Sequence, residues 1–175
     1  MKTAILIPIA AAALSAYAEG SGETSPKHSE GGSASVRAQA SRDYTKFNVC
    51  EAVPGDAIAR AMGGRIVTTR PTFDKNWSRC LYMVTTPGSD RQRGYTVWLA
   101  PPPDFEDMKP YIEEPITPVA GLGDGAYIYR DKGDGRFKIY VLMRGQQTIS
   151  TTGETAESAR KVAEAVLAVL RKKPS

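Results

Sequence analysis

Two cysteines, Cys50 and Cys80, constrain the fold of this chain more than any other feature of its 175 residues. Both lie in the stretch whose composition is that of a folded domain, with a short helix and a strand predicted between them. In an oxidising compartment a lone pair of cysteines forms a disulfide by default. We therefore predict a disulfide that closes a loop of about 31 residues and adds roughly 3.5 kcal/mol to the free energy of unfolding. Neither cysteine belongs to a CxxC motif, which argues against a redox-active thiol.

The first 18 residues predict export to such a compartment. Lys2 gives a positive start, residues 4–14 form an apolar run, and Ala16-Tyr17-Ala18 supplies the small residues that a signal peptidase reads. The run is shorter than the roughly 20 apolar residues that cross a bilayer, so no transmembrane segment is predicted. We predict a signal peptide over residues 1–18, cleaved after Ala18, and a mature protein that is secreted or periplasmic, in the cell envelope.

Composition divides the remaining chain into two parts. Residues 19–42 are mostly glycine, serine, glutamate and alanine, and they include the only histidine, His28. Such a segment cannot bury enough apolar surface to offset its conformational entropy, so we predict a disordered tether. Residues 43–173 carry the apolar patterns of strands and helices and are predicted to form a single α+β domain.

Patterns within this domain predict the order α, β, β, β, a possible α, β, β, β, α. Turn residues and β-rich runs predict strands at 66–69, 79–86, 94–100, 125–130, 136–144 and 146–152, with 71–76 as a loop. A short helix is predicted to start near Pro54 and to stop at Gly63-Gly64. A second possible helix is expected to be capped by Asp104 and to reach Glu114. An amphipathic helix is predicted to span residues 155–172. The predicted fold is an antiparallel sheet of about six strands with helices packed on it.

Several short motifs within residues 43–172 resemble a known family. They are Asn48–Val53, Met62-Gly63-Gly64, Cys80-Leu81-Tyr82, the Gly-Leu-Gly-Asp turn within Val119–Tyr127, and the alanine-rich final helix. Together they resemble the LpqN-type family, small secreted actinobacterial lipoproteins of unknown function. The resemblance implies a PsbP-like α/β/α sandwich with the two cysteines bridged, and it supplies no catalytic residue. The chain lacks the lipid-bearing cysteine of that family.

The residues of the domain argue against several chemistries. With His28 in the tether, the domain has no imidazole for a Ser-His-Asp or Cys-His mechanism or for a zinc site, and we predict neither metal nor cofactor. The glycine-rich segment 121–125 precedes a strand and is predicted to be a turn, not a phosphate loop. The segment 131–134 has too few acids for a calcium loop. Carboxylate chemistry stays open, because acids cluster at Asp104, Glu106, Asp107, Glu113 and Glu114.

Strand alternation predicts an aromatic surface on the sheet face opposite the helices. In the strand 136–144 the side chains of Phe137, Ile139, Val141 and Met143 point to one face, and those of Tyr140 and Leu142 point to the other. The candidate ligand or partner surface consists of Trp98, Tyr127, Tyr129, Tyr140 and Leu142. Tyr82 is left out because it shares a face with Cys80.

The sequence favours a non-enzymatic function for this surface. We predict an extracytoplasmic binding or accessory module that meets a protein partner or a small amphipathic ligand through aromatic side chains with a basic rim. A carboxylate-dependent hydrolase and a purely structural component of an envelope complex are the alternatives. The net charge of +4 is too small to indicate nucleic acid as a partner. A monomer is predicted.

Overall fold

A computed structural model of the chain describes residues 43–172, so the predictions made for the signal peptide and the tether lie outside the described residues. Seven antiparallel strands form one sheet in the order β1-β2-β3-β7-β6-β5-β4. The strands are β1 Arg65–Phe73, β2 Ser78–Thr85, β3 Gln92–Ala100, β4 Thr117–Pro118, β5 Gly125–Arg130, β6 Phe137–Met143 and β7 Gln147–Gly153. The helices are α1 Val49–Ala52, α2 Gly55–Ala61, α3 Asp104–Asp107 and α4 Ala156–Leu170. The predicted α+β class is confirmed.

The main core lies on one side of the sheet, here called the first face, beneath α1, α2 and α4. The apolar stripe of α4 is buried against it, with Val162, Ala163 and Val166 fully inaccessible to solvent. Thr155 begins this helix with a capping box, in which its hydroxyl accepts the Ser158 N–H and the Ser158 hydroxyl accepts the Thr155 N–H. The amphipathic pattern and the cap together fix where α4 starts and which side it buries.

The predicted disulfide is confirmed and fastens α1 to β2. Cys50 in α1 bonds to Cys80 in the middle of β2, whose side chain is wholly buried. Two residues along the strand, the hydroxyl of Tyr82 donates a hydrogen bond to the Val53 carbonyl at 2.8 Å. Tyr82 therefore belongs to the first face, as predicted, and the start of the domain is attached to the sheet at two points.

Three local predictions were wrong, and two of them involve prolines. The predicted loop 71–76 is shorter, because β1 continues to Phe73; Pro71 fits there because an edge strand has an outward side where a missing N–H costs no ladder bond. The helix expected to reach Glu114 ends at Asp107, is capped by Pro103 instead of Asp104, and gives way to a 3₁₀ turn at Lys109–Tyr111 that contains Pro110. The two-residue β4 makes a seventh strand.

The glycine-rich segment 121–125 is a turn, as predicted. It connects β4 to β5 and is hydrogen-bonded to the β6–β7 hairpin. Gly123 adopts a positive φ of 57°, and a Cβ atom there would lie 2.2 Å from the Leu142 carbonyl oxygen. Asp124 accepts the Gly145 N–H at 2.6 Å, and its own N–H donates to Leu142. These bonds explain the motif structurally, without a ligand.

Candidate recognition face

The other side of the sheet, here called the second face, is covered over only part of its area. A chain segment, residues 101–116, crosses it with α3 and the 3₁₀ turn; we call this segment the cover. Beneath the cover, Phe105 packs with Tyr127, Tyr129 and Tyr140 in a second hydrophobic cluster, here called the tyrosine cluster. Met108, Ile112 and Ile116 of the cover close over it. The half of the sheet formed by β4, β5 and β6 is therefore sealed.

Aromatic packing holds the tyrosine cluster together. The rings of Tyr127 and Tyr140 are stacked with centroids 5.1 Å apart, and Tyr129 stacks on the other side of Tyr140 at 6.2 Å. Phe105 meets Tyr127 at 5.1 Å. These separations are typical of stabilising aromatic pairs. Trp98 from β3 approaches Tyr140 edge-on at 6.2 Å and marks the border of the cluster.

Polar contacts attach the cover to the sheet. The Tyr127 hydroxyl donates to the Phe105 carbonyl at 3.2 Å, and the Thr148 hydroxyl donates to the Pro102 carbonyl at 3.1 Å. The ammonium group of Lys109 lies 4.9 Å from the centroid of the Phe105 ring and pairs with Glu106 at 2.8 Å. The cover is thus held by hydrogen bonds and a cation–π contact as well as by apolar packing.

Burial changes the acidity of the clustered tyrosines. Loss of solvent raises the pKa of Tyr127 and Tyr129 well above the ordinary tyrosine range, and the neighbouring Tyr140 adds to both shifts. Burial also raises the pKa of Tyr140, opposed by its hydrogen bonds with Ser150 and Tyr129. The cluster is therefore a neutral, closed environment at ordinary pH.

The five residues predicted as a recognition surface do share one face of the sheet, but the structure does not present all of them to solvent. Tyr127, Tyr129 and Tyr140 are only 3%, 7% and 6% exposed. Trp98 and Leu142 are half-buried against the same cluster. The alternation rule found the face correctly, whereas the cover could not be foreseen from the strands alone.

The second face of β1, β2 and β3 is different, and we call it the open half. Its side chains are all half-buried or exposed, whereas their neighbours on the first face of β2 and β3, such as Cys80, Tyr82 and Val97, are buried. The edge strand β1 is exposed or half-buried on both faces. The open half consists of Thr68, Arg70, Thr72, Arg79, Leu81, Met83, Gly94, Thr96 and Trp98, placed on one face by the strand register. Its floor is apolar at Leu81, Met83 and Trp98.

Arginines surround this floor. The Arg79 guanidinium lies 5.7 Å from the Trp77 ring centroid and donates to the Thr72 hydroxyl at 3.4 Å. Arg136 reaches across from the start of β6 and donates to the Gly94 carbonyl. Sequence reasoning missed Arg70, Arg79, Leu81 and Met83, although one signal was present for the three in β2. Arg79, Leu81 and Met83 alternate there with Cys80, Tyr82 and Val84, which the disulfide assigns to the first face.

The acids considered for catalysis are distributed along the cover. Burial, followed by the proximity of Asp107, raises the pKa of Asp104. Glu106 is paired with Lys109, and Glu114 accepts the Lys132 N–H at 3.2 Å. Among residues 43–172 no group of three or more metal-ligating side chains is assembled. In the turn at residues 131–134, which has too few acids for a calcium loop, Asp131 accepts the Gly133 N–H and pairs with Lys138.

Two further findings complete the description of this chain. No helix within residues 43–172 is long and apolar enough to cross a membrane. Comparisons with protein-family models, curated proteins and solved structures gave no match. The resemblance to LpqN-type lipoproteins therefore stays a prediction.

Proposed function

We propose that this chain is a non-catalytic, extracytoplasmic binding or accessory module, and that it meets its partner through the open half. The observation that carries the proposal is the unequal covering of the sheet. Helices bury most of the first face outside the edge strand β1, the cover buries the tyrosine cluster, and the open half keeps apolar side chains accessible beside arginines. An apolar floor with a charged rim is the usual anatomy of a protein recognition site.

Residue composition supports this choice of site. The three strands β1–β3 contain four arginines, a tryptophan and a methionine, and no lysine, aspartate or glutamate. Interface cores favour tryptophan, methionine and arginine and are depleted of lysine and acids. The open half has this composition in a place where the fold does not need it.

The extracytoplasmic setting is supported by the disulfide and by the predicted signal peptide. A disulfide of this kind persists outside the reducing cytosol. The resemblance to LpqN-type lipoproteins agrees with the same compartment, since that family is secreted.

Site-specific photo-cross-linking tests the proposal. A photoreactive residue replaces Thr96 at the centre of the open half, and a matched one replaces Ala168 on the exposed side of α4. In cells that export the chain, we expect a discrete adduct from position 96 and none from position 168. Adducts from position 168 alone, or equal adducts from both, would overturn the assignment of the open half.

A carboxylate-dependent hydrolase is the second candidate, and one observation favours it. Asp104 is half-buried with a raised pKa beside Asp107, and such a group can act as a general acid. Assay of the wild-type chain against a panel of cell-envelope polysaccharides tests this candidate. Hydrolysis that Asp104→Asn abolishes would support it, and its absence from both proteins would count against it.

A further inference from the structure

We infer that the partner of the open half is a protein surface rich in carboxylates. This inference rests on the proposed function and adds the chemistry of the partner. It comes from the charges of the open half, which the described part of the chain leaves unbalanced. Arg70 and Arg79 of the open half are exposed, as is Arg65 at the start of β1, and none of the three forms an ion pair with a carboxylate among residues 43–172.

Several cations elsewhere on the sheet do form ion pairs with acidic side chains. Arg91 and Arg93, in and just before β3, both pair with Glu154, at 3.4 and 3.5 Å. Lys138 pairs with Asp131, and Lys132 lies 3.9 Å from Glu114. Ion pairs are therefore present at β3, at the β5–β6 turn and on β6, whereas the second face of β1 and β2 has none among the described residues.

The connecting turns do not supply the missing acids. Asp74 in the β1–β2 turn accepts the Asn76 N–H at 3.1 Å, and neither it nor Asp90 in the β2–β3 turn forms an ion pair among the described residues. The positive potential over this area therefore extends to solvent, where it attracts an oppositely charged surface.

Arg79 is also held in position before any partner arrives. Its guanidinium is placed against Trp77 and bonded to Thr72, so less side-chain freedom is lost when it binds a carboxylate. A planar guanidinium on an aromatic ring still has donors free for a bidentate carboxylate. Trp98, paired with Arg79 in the strand register, and Leu81, two residues along β2, provide apolar area that is buried on contact.

Two other occupants fit these observations less well. A second copy of the chain in a two-fold arrangement would place arginines against arginines, which repel. Insertion into a lipid surface requires projecting apolar side chains, whereas Leu81, Met83 and Trp98 are half-buried between their neighbours on the sheet. A carboxylate-rich protein surface would pair with the arginines and bury the apolar floor between them.

The test measures binding of two probes to the exported, disulfide-bonded chain. Poly-L-glutamate represents peptide carboxylates, and phosphatidylglycerol vesicles represent anionic lipid. The change in tryptophan fluorescence reports on the open half, because the sequence has two tryptophans, of which Trp98 lies in the open half and Trp77 lies against its Arg79. We expect poly-L-glutamate to bind at low salt more tightly than the vesicles.

Paired double variants separate a site from net charge. We expect R70E/R79E to weaken poly-L-glutamate binding by about tenfold or more and R60E/K172E, on the helical side, by about twofold or less. The fold-preserving R70K/R79K variant retains the charges but loses bidentate geometry, so intermediate weakening is expected.

Equal losses in both double variants, binding to vesicles alone, or no binding to either probe would each overturn the inference. The proposed function can fail separately. If position 96 cross-links a partner whose capture R70E/R79E does not alter, the open half is a binding site and only its carboxylate chemistry is wrong. If position 96 gives no specific adduct, the site itself is wrong.

Discussion

The two halves of the second face are built from similar antiparallel strands, but they differ in how far other parts of the chain cover them. On β4–β6 the aromatic side chains of Tyr127, Tyr129 and Tyr140 lie under residues 101–116 and form a second core. On β1–β3 the side chains are threonines, arginines and three apolar residues, and nothing among the described residues buries them to the same degree. The comparison teaches that a row of aromatics on a sheet indicates burial as readily as binding, and that arginines without acids are the better guide to an exposed site.

The largest expected difference between the halves is in stability. Tyr140 is stacked with two tyrosines and approached by Trp98, so Tyr140→Ala should lower the free energy of unfolding by about 3–5 kcal/mol. Leu81→Ala on the open half should cost about 1 kcal/mol or less, since Leu81 is half-buried. Urea unfolding followed by circular dichroism measures both. Equal decreases in the free energy of unfolding for the two variants would contradict the difference in burial between the sealed half and the open half.

The disulfide lies behind the open half, on the first face. Cys50→Ala combined with Cys80→Ala should lower the free energy of unfolding by roughly 3.5 kcal/mol, because the unfolded chain regains the freedom of a loop of 30 residues. The same chemical denaturation experiment measures the loss. A cost below about 1 kcal/mol would show that α1 is held to β2 by Tyr82 and apolar packing instead.

Alkaline pH should destabilise the sealed half selectively. The pKa values of Tyr127 and Tyr129 are raised in the folded state, so their contribution to stability is complete below the ordinary tyrosine pKa of about 10 and is lost as the pH rises above it. Tyr127→Phe should reduce this alkaline loss, at a cost of about 1 kcal/mol at neutral pH for the hydrogen bond to Phe105. Phenolate absorbance and circular dichroism recorded together measure it. Full tyrosine ionisation without unfolding would contradict a sealed cluster.

The smallest expected effect concerns the β5–β6 turn, at one end of the sealed half. The hydrogen bond from Lys138 holds the pKa of Asp131 below its usual range, so this contribution to stability is present above a pH of about 4 and is lost as the pH falls further. Asp131→Asn should lower the free energy of unfolding by about 0.5 kcal/mol at neutral pH. It should also reduce the loss of stability that the wild-type chain shows as the pH falls below about 4. A variant in which this acid loss of stability is unchanged would show that the pair contributes nothing.

Much of the fold was predictable because its signals are local or covalent. The apolar stripe of α4, the β6 alternation and the cysteine pair each specify one side of the sheet, and all three agree in the structure. The turn at Gly123 was predictable as a turn, since only its backbone conformation and close contact require glycine.

The candidate site was less predictable because it depends on what covers the sheet. Residues 101–116 contain five prolines and only four residues of α-helix. Helical spacing predicts that Phe105 and Ile112 point inward, but it does not indicate that they cover the tyrosines. The absence of acidic partners for Arg70 and Arg79 also emerges only from the structure, since Asp74 and Asp90 lie close in sequence but form no ion pair with them.

Methyl NMR of the methionines tests the difference between the halves most directly. Met83 lies on the open half, Met108 lies in the cover over the tyrosine cluster, and both are half-buried, which makes them a matched pair. On titration with poly-L-glutamate, the account predicts that the Met83 methyl signal shifts and that the Met108 signal stays in place. A shift of Met108 with Met83 unchanged would contradict the account and assign recognition to the tyrosine cluster.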